Sequence, residues 1–251
     1  MADPNNPEET QQHAIPEDSK PTVVGIGASA GGLSAIKKFF EHAPANSGLM
    51  FVVVVHLSPE HKSLLADLLQ SHVHMPVQQV TETTPLEPNT VYVIPPNANL
   101  DAIDTHLRLS NLEEQRRDRA PIDHFFRTLA ATHDGHSVGV VLTGTGSDGT
   151  LGVREIKAKG GIIIVQDPNE AEFDGMPQSA IATGMVDLIL PVADMFGAIL
   201  RLAQTQPRVG ATEELIKSGV EEDPSPKYWG FCVRGRSAIL PNIGAPPSSG
   251  A

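Results

Sequence analysis

The chain is organised around residues 23–32, which read VVGIGASAGG. The first half is an apolar run of strand type, and the second half consists of glycines and small residues that lead at once into a helical pattern. Such a turn lies at the carboxyl end of a sheet, where reacting groups collect in open α/β proteins. The helix start offers free N–H groups and a positive dipole end, which suit a developing oxyanion. Ser29, in the middle of the turn, is either a nucleophile or a small residue in a tight bend.

Composition restricts the class of protein. Of the 251 residues, 40% are hydrophobic, which is enough for a substantial core, and the formal net charge of −12 argues against general binding to nucleic acid or to anionic membranes. The single cysteine, Cys232, excludes an intrachain disulfide and fits a reducing compartment. No apolar run approaches the ~20 residues that span a bilayer, and the polar N-terminus does not resemble a secretory leader. We therefore expect a cytoplasmic protein without membrane insertion.

Apolar strands that alternate with amphipathic helices predict a doubly wound α/β fold, with a mainly parallel sheet and helices on both faces. The alternation at residues 106–109 predicts a hairpin and hence an antiparallel edge of that sheet. Residues 1–20 have almost no apolar content and are expected to be disordered. We expect the folded domain to occupy residues 21–206, followed by a largely disordered tail, rich in Pro, Gly and Ser, at residues 207–251.

Three side chains with complementary chemistry each follow a predicted parallel strand: Ser29, His56 and Asp148. Because parallel strands point the same way, these strand ends lie along one edge and can converge. A serine hydroxyl needs a base to take its proton, and a neutral imidazole is suited to that role. The imidazole in turn needs a carboxylate that fixes its tautomer. The three residues therefore form a candidate Ser-His-Asp triad.

Other readings of the same residues remain open. Ser29 and His56 could be ordinary turn or capping residues, and Asp148 could cap the helix that follows it. The glycine spacing of residues 25–31 loosely fits a dinucleotide fingerprint, but the second strand ends at His56 instead of the acidic residue that would hold a ribose. His72 and His74 lack neighbouring Cys or acidic ligands, so a metal site is not expected.

Five sequence blocks resemble the catalytic domain of chemotaxis protein-glutamate methylesterases (CheB). They are GIGASAGG at 25–32, HLSP at 56–59, PIDHFF at 121–126, TGTGSDG at 143–149 and GMPQSA at 175–180, and they occur in family order. The resemblance implies Ser29 as the nucleophile, His56 as the general base and acid, and Asp148 as the orienting carboxylate. It also implies that no metal or organic cofactor is needed.

The resemblance further implies hydrolysis of glutamyl methyl esters in the cytoplasmic helices of chemoreceptors, and deamidation of receptor glutamines by the same chemistry. A receptor methyltransferase and other chemotaxis signalling proteins are then expected partners. The oxyanion is expected to be held by N–H groups of the Ser29–Gly31 turn, which includes Ala30, together with Thr145. The alternatives are a catalytically inactive receptor-binding module and a nucleotide-binding oxidoreductase.

The chain departs from the family pattern at three places. Ala30 stands where the family often has Thr, and Thr145 stands where it often has Met. Backbone N–H donors would survive both changes, whereas a side-chain contribution at position 30 would not. Many members also carry a phosphorylatable receiver domain before the esterase, and residues 1–20 are too short and polar to form a packed lid. We therefore expect activity that does not depend on a phosphodonor.

Overall fold

The computed structural model of the protein describes residues 21–41, 43–55, 65–110 and 120–205. The terminal segments that were expected to be disordered, residues 1–20 and 207–251, lie outside the described residues, and so does His56.

The described elements alternate between strands and helices over most of the chain. In order they are β1 (Val23–Ala28), α1 (Gly32–Phe40), β2 (Met50–Val55), α2 (Leu65–Gln70), β3 (Val77–Gln79), β4 (Thr83–Pro85), β5 (Thr90–Val93), β6 (Asn99–Ile103), β7 (His106–Ser110), α3 (Pro121–Thr132), β8 (Ser137–Val141), α4 (Thr150–Ala158), β9 (Ile162–Gln166), α5 (Gly175–Ile181), β10 (Leu188–Leu190) and α6 (Val192–Thr205).

A parallel sheet of seven strands forms the centre, in the order β10-β9-β8-β1-β2-β5-β3. The chain passes from β1 to β2 on one side, and β8 later takes the opposite side of β1 before the chain moves on to β9 and β10. The carboxyl ends of β1 and β8 therefore flank the point where the strand order reverses. Ligands and reacting groups of open α/β sheets are found at this switch point.

Helices cover both faces of the sheet, as the sequence predicts. The buried residues of α1, α2 and α6 pack on one face, and those of α3, α4 and α5 pack on the other. The central strands β1, β2 and β8 are buried along their whole length, which explains why they read as continuous apolar runs and do not alternate. Phe39, Phe40, Phe51 and Phe196 form an aromatic cluster on the α1 face. The prediction of a doubly wound, mainly parallel α/β fold is confirmed.

The predicted hairpin forms, but in a different place. Strands β6 and β7 pair antiparallel within a separate sheet of three strands, in the order β4-β7-β6, and not at an edge of the main sheet. After β5 the chain meets Pro95 and Pro96, which cannot donate to a ladder, and then turns at Asn97, whose φ is 56°. The small sheet packs on α3, where the N–H of Ala102 donates to Oγ1 of Thr128 at 3.0 Å.

Within the described residues, no helix combines the length and the apolar character that crossing a membrane would require.

Candidate active site

Ser29 follows β1 at the switch point of the sheet. Its backbone N–H donates to the carbonyl oxygen of Thr143, just past β8, at 3.0 Å. Its own carbonyl oxygen accepts the N–H of Gly32 at 2.9 Å, which closes the turn into α1. The half-buried Ser29 is therefore fixed between the ends of two central strands.

The turn presents two N–H groups at the start of α1 that have no acceptor among the described residues. Gly31 precedes the helix in the left-handed conformation, with φ of 72°, and no side chain caps this helix. The N–H groups of Ser29 and Gly32 are used within the protein, whereas those of Ala30 and Gly31 donate to no acceptor among the described residues. Of the N–H groups in the Ser29–Gly31 turn that were expected to hold an oxyanion, those of Ala30 and Gly31 are therefore the candidates, because the N–H of Ser29 already has an acceptor.

Thr143 connects the Ser29–Gly31 turn to the loop after β9. Its side chain is 1% exposed, and its hydroxyl oxygen lies 3.1 Å from the carbonyl oxygens of both Ala30 and Phe173. The same oxygen accepts the N–H of Phe173 at 2.8 Å, and the N–H of Thr143 donates to Oε1 of Gln166 at 2.7 Å. Sequence reasoning missed this role, although Thr143 opens the TGTGSDG block.

Gly144 allows Ser29 to approach the loop after β8 closely. A methyl group on Gly144 would lie 2.2 Å from Sδ of Met176 and 2.9 Å from Cβ of Ser29. Both distances are well inside van der Waals contact, so any larger residue would displace one of these neighbours.

The loop after β9 forms an exposed rim beside the turn. Oε2 of Glu172 lies 2.7 Å from the position that a Cβ on Gly31 would take, and the side chain of Phe173 is 39% exposed. The rim is anchored to α1 and α6, because Glu170 forms an ion pair with Lys38 and accepts the N–H of Val192 at 2.7 Å. Phe173 is therefore exposed on a backbone that is bonded to Thr143, the residue that also contacts Ala30 in the Ser29–Gly31 turn.

Asp148 does not cap the helix that follows it. Its two carboxylate oxygens accept the N–H of Ile122 at 3.2 Å and of Asp123 at 2.9 Å, so that Asp148 caps α3, and α4 begins instead after Gly149, whose φ is 94°. Burial raises the pKa of Asp148 above its usual range, while the two N–H donors oppose the rise.

The structure places the remaining predicted residues only in part. Thr145 is exposed on the loop between β8 and α4. His56 lies outside the described residues, but Val55, which precedes it, is the register partner of Ala28, which precedes Ser29. The described part of the chain thus brings Ser29 close to the β8 loop and leaves the side chain of His56 unassigned.

The described histidines and carboxylates do not form a metal site: no group of three or more Cys, His, Asp or Glu among the described residues is arranged to hold an ion. His72, one of the two histidines that the sequence raised, has Nδ1 at 2.8 Å from Oγ of Ser71 and 3.0 Å from the carbonyl oxygen of Leu68.

Comparison with known proteins identifies the family. The family model for CheB methylesterase matches residues 24–199, a range that includes the carboxyl ends of β1 and β8 and the loop after β9. The chain belongs to the CheB methylesterase family.

Two comparisons show how much of the chain the relationship covers. The crystal structure of the Thermotoga maritima CheB methylesterase catalytic domain superposes with a TM-score of 0.67 at 28% identity, over 73% of this chain and 100% of that chain. A Rhizobium meliloti protein named as protein-glutamate methylesterase/protein-glutamine glutaminase is 35% identical over 72% of this chain and 52% of its own length.

The relatives differ in their overall length. A 104.1 kDa protein of Rhodobacter capsulatus is 44% identical over 146 residues, which are 58% of this chain but only 15% of that protein. A Leptospira interrogans protein, provisionally named with the same two activities as the Rhizobium protein, is 33% identical over 71% of this chain and 93% of its own length. The CheB methylesterase domain therefore occurs in chains of very different length, and this chain spans about half or less of some of them.

Proposed function

We propose that this CheB-family chain is a serine hydrolase that demethylates γ-glutamyl methyl esters of chemoreceptor cytoplasmic helices. Ser29 is the nucleophile, His56 the general base and acid, and Asp148 the carboxylate that orients His56. The observation that carries the proposal is the position of Ser29 at the switch point, directly before two N–H groups with no acceptor among the described residues. A nucleophile that lies next to unused backbone donors is the arrangement that acyl transfer requires.

In the first half of the reaction, His56 removes the proton of the Ser29 hydroxyl as its oxygen attacks the ester carbonyl carbon. The negative oxygen that forms is held by the N–H groups of Ala30 and Gly31, and each well-placed donor lowers the barrier by about 3 kcal/mol. The tetrahedral intermediate collapses as methanol leaves with the proton from His56, and an acyl-serine ester remains.

In the second half, His56 deprotonates a water molecule that attacks the acyl-serine carbonyl carbon. The bond to Ser29 breaks, the serine oxygen recovers its proton from His56, and a glutamate carboxylate is released. A primary amide in place of the methyl ester would lose ammonia by the same route, so glutamine deamidation belongs to the proposed activity. The names of the Rhizobium and Leptospira relatives pair these two reactions.

The register of β1 and β2 supports the role of His56. Ala28 and Val55, which precede Ser29 and His56 in the sequence, are paired neighbours on adjacent parallel strands. Adjacent parallel strands are ~4.8 Å apart, so a histidine that follows β2 in the sequence is a suitable candidate base for a serine that follows β1.

The rim, the loop after β9, favours an uncharged substrate. Glu172 brings negative charge to the start of α1, which disfavours a bound carboxylate relative to an uncharged methyl ester or amide. Phe173 offers an apolar contact to the target helix. We place the activity in the cytoplasm, where the receptor helices lie, together with a receptor methyltransferase and other chemotaxis signalling proteins as functional partners.

The experiment compares Ser29→Ala with Ser34→Ala, a matched control on the exposed face of α1. Methanol release from methylated receptor membranes is measured for both variants and for the unmodified protein. Loss of a triad nucleophile costs on the order of 10⁶ in kcat, so Ser29→Ala should be inactive, and Ser34→Ala should match the unmodified protein. Retention of a tenth of the activity by Ser29→Ala would remove Ser29 from the mechanism. If the unmodified protein binds receptors without releasing methanol, it is an inactive binding module.

A further inference from the structure

Asp123 and Asp148 cap each other's helices. Asp148 lies on the loop that leads into α4, yet its carboxylate accepts two N–H groups from the first turn of α3, one of them from Asp123 at 2.9 Å. Asp123 belongs to α3, yet its Oδ1 accepts the N–H of Gly152, in the first turn of α4, at 2.8 Å. Because residues 148 and 152 are joined by a short stretch of chain, these bonds close a ring between the two helix starts.

Close packing fixes this ring to the strand that carries the nucleophile. A methyl group on Gly152 would lie 2.3 Å from Cβ of Phe126, and one on Gly27 would lie 2.5 Å from Cγ2 of Ile122. The N-terminal half of α3 is therefore packed against α4 on one side and against β1, two residues before Ser29, on the other. A shift of either helix start would move the Asp148 carboxylate relative to Ser29.

We propose that Asp123 is a positioning residue for Asp148, and that the two carboxylates act as one charged unit at the junction of α3 and α4. The inference rests on the proposed function, in which Asp148 is the partner of His56. Asp123 is 5% exposed and does not need to touch the substrate for this role, because it acts through Asp148.

The charged groups around Asp123 and Asp148 determine in which direction loss of the Asp123 charge changes the pKa of Asp148. Burial raises the pKa of Asp148, and the negative charge of Asp123 raises it further. Burial also raises the pKa of Asp123, whereas the Arg127 guanidinium lowers it. The other titratable side chain of α3 that is bound to a neighbouring element is His124, whose Nε2 lies 2.5 Å from Oδ1 of Asp101 on β6. Removal of the charge on Asp123 therefore favours ionised Asp148 at lower pH.

The test follows kcat/KM for methanol release from about pH 5 to pH 8, where a histidine base titrates, at about 0.01 M salt so that charges act over ~30 Å. Asp123→Asn keeps an acceptor for the N–H of Gly152 but loses the charge. We expect its ratio of activity at pH ~5.5 to activity at pH ~8 to rise about twofold or more, because the active ionisation state persists to lower pH. Asp134→Asn, an exposed charge beyond the other end of α3, is the matched control and should leave the ratio unchanged.

Two further variants keep the proposal testable if Asp123→Asn folds poorly. Arg127→Gln should change the ratio in the same direction but by less, because loss of the guanidinium raises the pKa of Asp123 and so leaves less negative charge beside Asp148 at pH ~5.5. Asp123→Ala leaves the N–H of Gly152 without its acceptor and should lower kcat about tenfold at pH ~8 with little change in KM, since a small misplacement of a catalytic group is costly. Identical pH profiles for Asp123→Asn, Arg127→Gln and the control would overturn the proposal. Undiminished activity of Ser29→Ala would instead refute the proposed function.

Discussion

Replacement of Thr143 by Val tests whether one buried hydroxyl holds the Ser29–Gly31 turn in place. The two side chains have nearly the same shape, so the change removes the hydroxyl and its hydrogen bonds and little else. In the structure that hydroxyl accepts the N–H of Phe173 at 2.8 Å and lies 3.1 Å from the carbonyl oxygen of Ala30. Valine leaves the Phe173 N–H without its acceptor at a position, residue 143, that is 1% exposed.

The magnitude follows from these lost bonds. A buried donor without an acceptor costs about 1–3 kcal/mol, so the free energy of unfolding should fall by that amount. The carbonyl of Ala30 loses its contact as well, and the Ala30–Gly31 donors shift with it. A loss of about 1.4 kcal/mol of transition-state stabilisation lowers the rate tenfold, and we expect kcat to fall by at least about that factor.

Thr143→Ser is the matched control, because it keeps the hydroxyl and loses only a methyl group, which costs about 1 kcal/mol of burial. Urea unfolding gives the stability of both variants, and methanol release from methylated receptor membranes gives their kcat. The serine variant should keep most of the activity. If the valine and serine variants have equal kcat, the hydroxyl does not position the turn, and the role that we assign to Thr143 is wrong.

The remaining predictions concern the packing, the rim and the buried acid. Gly144→Ala should destabilise the protein by about 1–3 kcal/mol through overpacking against Met176. Gly197→Ala, in the interior of α6 where an added methyl group makes only an ordinary contact, should instead raise the unfolding free energy by about 0.5–1 kcal/mol. Urea titration of both variants measures the two changes. Phe173→Ala should raise KM and leave thermal stability almost unchanged, because only the backbone of Phe173 is bonded to the interior; no change in KM would exclude the ring from substrate binding. Burial raises the pKa of Asp123 above its usual value of 3.8, so the unmodified protein loses stability as Asp123 ionises at higher pH. Asparagine cannot ionise, so Asp123→Asn should gain stability relative to the unmodified protein as pH rises from about 4 to 7. A stability difference that is flat over this range would contradict the assigned burial effect.

The sequence by itself determined the architecture of the central sheet. The runs that became β1, β2 and β8 are apolar without alternation, because these strands are buried on both faces, and that pattern can be read without coordinates. The apolar spacing of α1 and α3 likewise predicts these helices, and the Pro at the start of α3 marks its first turn. The short strands β4 and β6 were not predicted, because three to five residues of mixed polarity carry little periodic signal.

The sequence also identified Ser29, His56 and Asp148 as a candidate triad, since each type of side chain follows a strand of the parallel sheet. Their convergence remains a prediction, because His56 lies outside the described residues. What the sequence could not supply is the identity of the supporting residues. Gln166 and Phe173 lie 23 and 30 residues from Thr143 in the chain and are joined to it by tertiary hydrogen bonds.

Only the tertiary structure decided what Asp148 binds. From the sequence, an Asp directly before a helix is expected to cap that helix, because a side-chain cap is a local interaction. In the folded protein Gly152 of α4 lies against Phe126 of α3, and the carboxylates of Asp148 and Asp123 each accept N–H groups from the first turn of the other helix. The exchange of caps follows from the packing of two helices that are separated by the 17 residues 133–149, and no local pattern encodes it.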